Sequence, residues 1–382
     1  MPDLDSYDLK EAVIKIIGVG GAGGNTINNI VAHLEKNATV VSSDDTKKFR
    51  NIDVIAANTD IQVLRRNKAP IRIPLGEQLT RGLGAGGNPE VGKKAALESL
   101  KDIEMSIKGA DLLIVTGGMG GGTGTGAIPI IAETAKNMGI LVMAVVTKPF
   151  KDEGEFKSRL AEDGIKELRK HVDAIITIPN DRILTLSPDL TNKEGYKEVD
   201  NVLIEAITGI TDIITTAGTV NVDFADISSI LKQSGTALVG IGKGKGDKRN
   251  MDAIKKAINF PLIEGADIHN SKGLIVYFKS PDNFKVKEKQ EIMDYIQKKV
   301  SNQSVKFKYG EHFDNSIPED ELWITLIATG FGYCEEPSTP KRAHLNETRE
   351  FAKSSAKDIE NFYSAENRNK PAYLRRKTSF LD

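Results

Sequence analysis

Gly117-Gly-Met-Gly-Gly-Gly-Thr-Gly-Thr-Gly126 places seven glycines and two threonines in ten residues. This stretch follows the apolar run Leu112–Val115 and leads into a helical pattern over Gly126–Met138. A turn without side chains exposes successive backbone N–H groups at the positive end of a helix dipole, which suits a polyphosphate. A simple glycine hinge would need neither the threonines nor the following helix. The stretch therefore predicts a phosphate-binding turn, to which Thr123 and Thr125 add hydroxyl donors.

Short apolar runs rich in β-branched residues alternate with helical patterns on both sides of this turn. Near-continuous apolar strands are typical of a parallel sheet covered by helices on both faces. The alternation predicts a doubly wound α/β domain. The strand candidates are Val13–Ile17, Val54–Ala57, Leu112–Val115, Leu141–Val146 and Ala174–Ile178, and the helix candidates are Gly24–Glu35, Pro89–Lys108, Gly126–Met138 and Gly154–His171.

A long amphipathic helix follows this domain. Apolar residues from Tyr196 to Ile214 recur at three- and four-residue spacing for about five turns. We expect this central helix to be buried between two domains and to end near Gly218. A second, smaller α/β unit with a mixed sheet is expected after it. Its strand candidates are Thr236–Ile241, Gly273–Phe278 and Leu322–Ala328, and its helix candidates are Arg249–Ile258 and Lys287–Val300.

Composition excludes several classes of function. The 382 residues predict two to three domains. Because 52 basic residues nearly balance 53 acidic ones, no nucleic-acid partner is expected. The single cysteine, Cys334, excludes an internal disulfide and a cysteine-rich zinc site, as is typical of a reducing cytosol. No apolar run reaches the ~18 residues that span a bilayer. We expect a soluble, cytoplasmic protein with no direct membrane insertion and no metal-ligating cluster.

Two further glycine clusters accompany the first. Gly18–Gly24, followed by Asn25, is a weak motif, because a tight strand-to-helix turn explains it equally well. Gly82–Gly92 places Pro89 near a helix start. The sequence holds no GxxxxGK[ST] motif, so phosphate binding would depend on backbone amides, helix dipoles and Mg²⁺.

Together these motifs resemble those of the tubulin/FtsZ family, of which Gly120–Gly126 is the signature. The resemblance covers residues 12–333, and Pro371–Arg376 is similar to the family's tail peptide. It implies a GTPase that polymerises head-to-tail into the filaments of the bacterial division ring at mid-cell. Other matching stretches, in the family's order, are Ala57–Asp60, Thr80–Gly86, Asn88–Gly92, Val145–Phe150, Ile178–Asp181 and Asn221–Asp226.

The resemblance also implies which residues hold GTP or GDP. Lys157 stands where the family has an arginine; Arg159 is the alternative for that contact, because lysine keeps the charge but lacks the bidentate fork. Ala22 and Gly87 also depart from the usual residues. The implied nucleotide-binding residues are Gly21, Ala22, Gly23, Gly24, Asn25, Ala85, Gly86, Gly87, Gly120, Gly121, Gly122, Thr123, Gly124, Thr125, Gly126, Glu153 and Lys157.

Recognition of the base has a rationale in the residues themselves. Tyr196 and Asp200 are four residues apart and share one helix face. The ring can stack on a purine while the carboxylate accepts from guanine N1–H and the 2-amino group, a donor pair that adenine lacks. Two alternatives stay open: Tyr196 as the first core residue of the helix, and Asp200 as a solvated charge.

The acids Asp223 and Asp226 form a DxxD loop after the central helix. Asp226 alone could be the N-cap of a helix over Ile227–Leu231. The resemblance implies instead that both acids, with Asn221, position the attacking water on the nucleotide of the next subunit. About 20 helical residues, or ~30 Å, separate this loop from the glycine clusters of its own chain. A site shared between subunits requires a heterologous interface, which builds filaments.

The expected organisation has six parts: a flexible N-terminus (1–11), a GTP-binding domain (12–194), the central helix (195–218), a C-terminal α/β domain (219–333), a disordered linker (334–370) and a partner-binding peptide (371–382). Residues 371–376 would bind a membrane-tethering division adaptor through Tyr373 and Leu374. Residues 33–51 form an insert relative to the family, of which Ser42–Lys48 is expected to be a surface loop.

The sequence is compatible with two other functions. A dinucleotide-dependent oxidoreductase would use Gly18–Gly24 with Asp44 or Asp45 about 20 residues later, but it leaves the third glycine cluster without a role. A nucleotide-binding structural filament without efficient hydrolysis is the closer alternative. The acids Asp223 and Asp226 argue against it.

Overall fold

One ten-stranded sheet runs through the described part of the chain. The computed structural model describes residues 12–40, 51–182, 191–216, 218–232, 234–259, 268–300 and 304–330. The strands are β1 Ile14–Val19, β2 Ile52–Asn58, β3 Ile71–Pro74, β4 Leu112–Gly118, β5 Leu141–Lys148, β6 Ala174–Pro179, β7 Gly235–Lys245, β8 Gly273–Ser280, β9 Lys306–Phe313 and β10 Glu321–Thr329. The helices are α1 Gly20–Val40, α2 Ile61–Arg65, α3 Glu77–Thr80, α4 Pro89–Glu98, α5 Leu100–Ile107, α6 Gly122–Asn137, α7 Glu155–Leu168, α8 Asn192–Thr215, α9 Phe224–Leu231, α10 Arg249–Ile258 and α11 Val286–Lys299.

The strand order is β3-β2-β1-β4-β5-β6-β7-β10-β8-β9. Strands β1 to β6 pair in parallel, which confirms the doubly wound α/β fold. β10 is antiparallel to both β7 and β8, while β8 and β9 are parallel, so the C-terminal half has the expected mixed sheet. A short parallel pairing of Ala174 with Gly235 and Ile175 with Thr236 makes the two halves one continuous sheet.

Two hydrophobic layers cover the two faces of the parallel half. Successive strand residues point to opposite faces, so Ile14 and Ile16 pack in one cluster and Ile17 and Val19 in the other. The first cluster contains the fully buried stripe of α8 and continues into the C-terminal sheet. The expected central helix is therefore present, and its apolar face belongs to both halves of the molecule.

The ends of α8 differ from the expected ones. The helix begins at Asn192, where Thr191 and Glu194 form a capping box. It ends at Thr215 with Thr216 as the C-cap, two residues before the expected Gly218. Gly218 has a different role: a Cβ there would lie 2.3 Å from the carbonyl oxygen of Glu311. A glycine is needed at this position for close backbone packing.

The two strands that the sequence pattern missed, β3 and β9, lie at opposite edges of the sheet. Their alternating sequences, Ile71-Arg-Ile-Pro74 and Lys306-Phe-Lys-Tyr309, lack the continuous apolar run of a central strand. The expected helix Pro89–Lys108 is two helices, interrupted at Ser99. The Ser99 hydroxyl accepts from the N–H of Gly76 and donates to the carbonyl of Pro74, which holds the break against the end of β3.

The first helix begins at Gly20 and continues to Val40, so the first part of the insert is helical. The rest of the insert, including Ser42–Lys48, lies outside the described residues. So do residues 1–11, the linker 334–370 and the peptide 371–382. All described residues belong to one unit, Met1–Tyr333, and the boundaries assigned within it stay predictions. No helix among the described residues is long and apolar enough to cross a membrane.

Half of the decisive glycine stretch is helix, because α6 begins at Gly122. Its glycines allow α6 and α4 to pack backbone to backbone. A Cβ on Gly126 would lie 2.0 Å from the carbonyl oxygen of Pro89, and one on Gly92 would lie 2.2 Å from that of Gly122. The glycine content of this segment is therefore set by helix packing as well as by the turn before the helix.

We predict that Gly126→Ala destabilises the nucleotide-free protein. Overpacking costs ~1–3 kcal/mol, which exceeds the gain of up to ~1 kcal/mol from replacing glycine in a helix. Gly21→Ala is the matched control, because Gly21 also lies in a helix and a Cβ there meets nothing within 4 Å. Urea unfolding, followed by the fluorescence of the single tryptophan, Trp323, measures the free energy of unfolding of both variants. A Gly126→Ala protein as stable as Gly21→Ala would contradict this packing argument.

Candidate functional site

A cavity of about 380 Å³ opens at the carboxyl ends of β1, β4, β5 and β6. The chain adds β2 and β3 on one side of β1 and β4, β5 and β6 on the other. The cavity lies at this switch point, which is the usual ligand position in open α/β sheets. Its size is within the range of small-molecule sites. Its wall is formed by Val19, Gly20, Gly21, Ala22, Asn25, Gly118, Met119, Gly121, Gly122, Thr123, Gly124, Thr147, Pro149, Glu153, Lys157, Asn180, Tyr196, Val199, Asp200 and Leu203.

Two helices begin at this wall. α1 starts directly after β1 at Gly20, and α6 starts at Gly122. The first residues of both helices border the cavity. Each N-terminus carries unpaired N–H groups and the positive end of a helix dipole, so two such ends on one cavity favour an anion with several charges.

The structure brings eleven of the predicted nucleotide-binding residues to the wall: Gly21, Ala22, Asn25, Gly121, Gly122, Thr123, Gly124, Glu153, Lys157, Tyr196 and Asp200. Eight others do not border it: Gly23, Gly24, Ala85, Gly86, Gly87, Gly120, Thr125 and Gly126.

Packing explains several of these exceptions. A Cβ on Gly23 would lie 2.6 Å from the carbonyl oxygen of Thr116, so Gly23 faces the sheet. The hydroxyl of Thr125 is buried and accepts a hydrogen bond from the N–H of Gly120 at 2.8 Å, which closes the turn before α6. The hydroxyl of Thr123 lies 2.7 Å from that of Thr59. Thr125 thus shapes the turn from behind, while Thr123 stays on the wall.

Tyr196 and Asp200 line the cavity at the end formed by the first turns of α8. The ring of Tyr196 is half exposed, and Phe150 holds it edge-to-face with ring centroids 5.2 Å apart. Burial raises the pKa of Asp200 to about 6. A carboxylate removed from water accepts hydrogen bonds from a ligand more strongly than an exposed one does. This end of the cavity therefore combines a fixed aromatic face with a desolvated acceptor.

Sequence reasoning missed two polar residues of the cavity wall, Thr147 and Asn180. Both are buried, and both lie at or just after the carboxyl end of a strand. The side-chain oxygen Oδ1 of Asn180 has no hydrogen-bond partner within the described structure. An orphaned buried acceptor on a cavity wall suits a ligand that donates a hydrogen bond. The signal was present in the sequence, because a polar residue following a buried parallel strand is a usual ligand contact.

Lys157 and Arg159 differ in position. Lys157 borders the cavity and forms an ion pair with Glu153, which is also on the wall. Arg159 pairs with Glu155 at 3.4 Å, and both of those side chains are largely exposed. Of the two cations, the structure places Lys157 beside the site.

The acidic loop lies beyond the other end of α8, whose 24 residues span ~36 Å. Asp223 is the N-cap of α9 and accepts from the N–H of Asp226 at 2.6 Å. Asp226 is therefore not the N-cap that the sequence pattern allowed. Asn221 accepts from the N–H of Gly218 at 2.6 Å. Asn221, Asp223 and Asp226 do not border the cavity of their own subunit.

Comparison with family models decides the classification. The model of the Tubulin/FtsZ family GTPase domain matches residues 13–188, and that of the FtsZ family C-terminal domain matches residues 235–332. This chain belongs to the tubulin/FtsZ family. Membership in this GTPase family excludes the alternative of a dinucleotide-dependent oxidoreductase. Asp44 and Asp45, on which that alternative depends, lie outside the described residues. The glycine-lined cavity and the acidic loop therefore belong to one GTPase.

Individual relatives agree with this family assignment. Cell division protein FtsZ of Helicobacter pylori strain 26695 is 42% identical over 347 residues, which are 89% of this chain and 86% of that protein. A solved FtsZ dimer of M. jannaschii is 34% identical with a TM-score of 0.77, covering 86% of this chain and 90% of its own. CetZ2 of Haloferax volcanii, solved as a GTPγS-bound protofilament, has a TM-score of 0.69 at 18% identity and supports the fold alone.

We predict that guanine-nucleotide affinity of this GTPase falls as the pH drops below about 6. The Asp200 carboxyl with a raised pKa is protonated there, and a protonated carboxyl can no longer accept from both N1–H and the 2-amino group of guanine. Affinity should weaken roughly tenfold for each pH unit below that value. The matched control is Asp200→Asn, which does not titrate. The GDP affinities of the two proteins are measured by calorimetry from pH 7.5 to 5. Their ratio is compared across this range, because protonation of the GDP phosphates affects both proteins equally and cancels. A constant ratio would contradict a role for Asp200.

Proposed function

We propose that this family member binds GTP in the glycine-lined cavity and hydrolyses it where the acidic loop of the next subunit reaches that cavity in a head-to-tail filament. The observation that carries the proposal is the separation of the two sets of groups by α8. A ~36 Å helix whose apolar face is buried from Val199 to Ile213 cannot bend to bring them together within one subunit. Each subunit then supplies half of two different sites.

We assign the triphosphate to the two helix N-termini and the base to the opposite end of the cavity. The N–H groups of Gly21, Ala22, Thr123 and Gly124 face the anion, and Lys157 adds a positive charge. Tyr196 stacks on guanine, Asp200 accepts from its N1–H and 2-amino group, and the orphaned Oδ1 of Asn180 accepts a further hydrogen bond. Adenine lacks the donor pair that Asp200 needs, so this arrangement selects GTP.

Mg²⁺ fits this site as an ion carried by the nucleotide. No group of three or more acidic, histidine or cysteine side chains in the described residues could form a protein cage for it. Mg²⁺ usually keeps several waters and binds through phosphates with one or two protein ligands. When bound, it would neutralise charge that develops on the phosphate oxygens.

The acidic loop supplies the remaining chemistry in this proposal. Phosphoryl transfer depends mainly on positioning and charge stabilisation. Asp226, in the first turn of α9, orients and polarises the attacking water. Asp223 also has a structural role, because its side chain caps the N-terminus of α9. Asp223→Ser should retain the cap, so a loss of turnover in that variant reports the carboxylate.

Head-to-tail assembly follows from this division of labour. Two different surfaces that meet form a heterologous contact, which continues into a filament rather than closing as a dimer. One solved relative, 34% identical to this chain, is described as an FtsZ dimer, which supports self-association. We propose that the filament acts at the mid-cell division site.

We predict that GTP turnover per subunit is very low in dilute protein and rises steeply above a threshold concentration. Asp226→Ala should bind GTP normally, assemble, and lose nearly all turnover. Asp252→Ala is the matched control, since Asp252 is an exposed acid in the first turn of α10. Phosphate release measured against protein concentration tests this. Equal turnover per subunit at all concentrations would show that a single subunit holds the complete site.

The same measurement distinguishes the proposed GTPase from the alternative, a structural filament without efficient hydrolysis. That alternative predicts assembly with GTP but no phosphate release at any concentration. The structure favours hydrolysis because Asp226 is held, partly exposed, at the surface of the loop.

We also propose that residues 371–376 bind a membrane-tethering adaptor of the division machinery. Tyr373 and Leu374 offer apolar anchors beside Arg375 and Arg376. Deleting residues 371–382 should leave turnover and assembly nearly unchanged and abolish recruitment of filaments to adaptor-bearing vesicles. Loss of assembly in the purified truncated protein would assign the peptide to the folded core instead.

A further inference from the structure

The acidic loop has a cationic neighbour that the proposed mechanism has not used. Lys308 lies on the edge strand β9, and its ammonium Nζ is 2.7 Å from Oδ1 of Asp226. The side chains are 46% and 28% exposed, so the pair lies at the surface with the loop. The hydrogen bond to Asp226 raises the pKa of Lys308, and the nearby charge of Asp223 adds to the effect.

The same strand also holds the backbone of the loop. The N–H of Thr219 donates to the carbonyl of Glu311 at 2.9 Å, and the N–H of Glu311 donates to the carbonyl of Val220 at 2.9 Å. Gly218 packs against the carbonyl of Glu311 so closely that a Cβ would not fit. β9 is thus the platform of the loop: Glu311 fixes the start of its backbone and Lys308 fixes the carboxylate at its end.

Stability alone does not explain this ion pair. Exposed salt bridges contribute little to stability. The N-terminus of α9 is already capped by Asp223 and does not need Asp226 for that purpose. What Lys308 does change is the conformational freedom of the Asp226 side chain, which has rotamers pointing away from the loop surface. It also reduces the negative charge that the loop would bring toward a polyphosphate.

We propose that Lys308 is a positioning residue for hydrolysis: it holds the Asp226 carboxylate in the orientation that the loop presents to the nucleotide of the next subunit. This inference rests on the proposed function. Lys308 acts through Asp226, and its own contact is with that carboxylate. The proposal requires turnover of assembled subunits to depend on Lys308 and the GTP affinity of isolated subunits to be independent of it.

The test uses Lys308→Met in the full-length protein. We expect turnover per assembled subunit to fall roughly tenfold, since misplacement of a catalytic group by about 1 Å can cost up to a hundredfold. GTP affinity of dilute protein and the threshold concentration should stay at wild-type values. Lys308→Arg, which keeps the ion pair, should restore most of the turnover. The matched control is Lys306→Met, which removes an exposed lysine two residues earlier on the same strand.

A double variant separates positioning from an independent role. Asp226→Ala combined with Lys308→Met should be no slower than Asp226→Ala alone, because the lysine has nothing left to position. An additional loss in the double variant would overturn positioning and assign Lys308 its own contact. If Lys308→Met fails to fold by tryptophan fluorescence, Lys308→Gln and Lys308→Arg decide: the inference requires Arg to be clearly faster than Gln.

The outcomes distinguish this inference from the function on which it rests. Wild-type turnover in Lys308→Met filaments, with Asp226→Ala inactive, overturns the role of Lys308 and leaves the shared site intact. A raised threshold concentration with unchanged turnover per assembled subunit would make Lys308 an assembly residue, which also overturns the inference. Wild-type turnover in Asp226→Ala overturns the shared site itself.

Discussion

The burial of α8 is the interaction on which the rest of this structure depends. Leu203, Ala206, Ile207 and Ile210 are fully buried in a cluster that includes strands of the parallel half and of the mixed half. One rigid helix therefore has its first turns in the wall of the cavity and its last turn next to the acidic loop. The distance between the two functional ends is set by helix length, at 1.5 Å per residue. A protein built this way can separate nucleotide binding from nucleotide cleavage.

The glycines of this chain serve two physical purposes that look alike in the sequence. Gly121 and Gly122 border the cavity at the start of α6, where we propose that backbone N–H groups bind the phosphates. Gly126 and Gly92 permit contact between the backbones of α4 and α6. The second purpose supports the first, because α4 holds the helix whose N-terminus faces the cavity. A side chain at Gly126 would disturb phosphate binding without being near a phosphate.

Much of the fold was predictable because the central strands and α8 are long and strongly patterned. β4 and β5 are apolar on both faces, and α10 occupies the expected residues. β3 and β9 were not predicted because apolar and polar residues alternate along these edge strands. Arg72 in β3 and Lys308 in β9 interrupt any apolar run. The break at Ser99 depends on contacts with Pro74 and Gly76, which are distant in sequence. Local patterning contains no information about such contacts.

The candidate site was predictable to a different extent. The motif residues that border the cavity were identified, but the sequence pattern could not separate wall from support: Thr125 faces the turn and Gly23 faces the sheet. Asn180 was missed because its importance comes from an unpaired, buried oxygen, a property of the folded state. Lys308 was missed because its partner, Asp226, is 82 residues earlier in the chain, and only the pairing of β9 with the loop brings them together.

The central claim, that the active site is shared between subunits, is tested most directly by complementation. Asp226→Ala keeps the nucleotide cavity and loses the acidic group; a double Tyr196→Ala, Asp200→Ala variant loses recognition of guanine in the cavity and keeps the acidic loop. Each should be nearly inactive alone. When the two are mixed and shown to co-assemble, the account predicts that GTP turnover reappears and is greatest at comparable amounts, because loop and cavity then meet at mixed interfaces. Turnover no greater than the sum of the separate proteins, in verified mixed filaments, would contradict it.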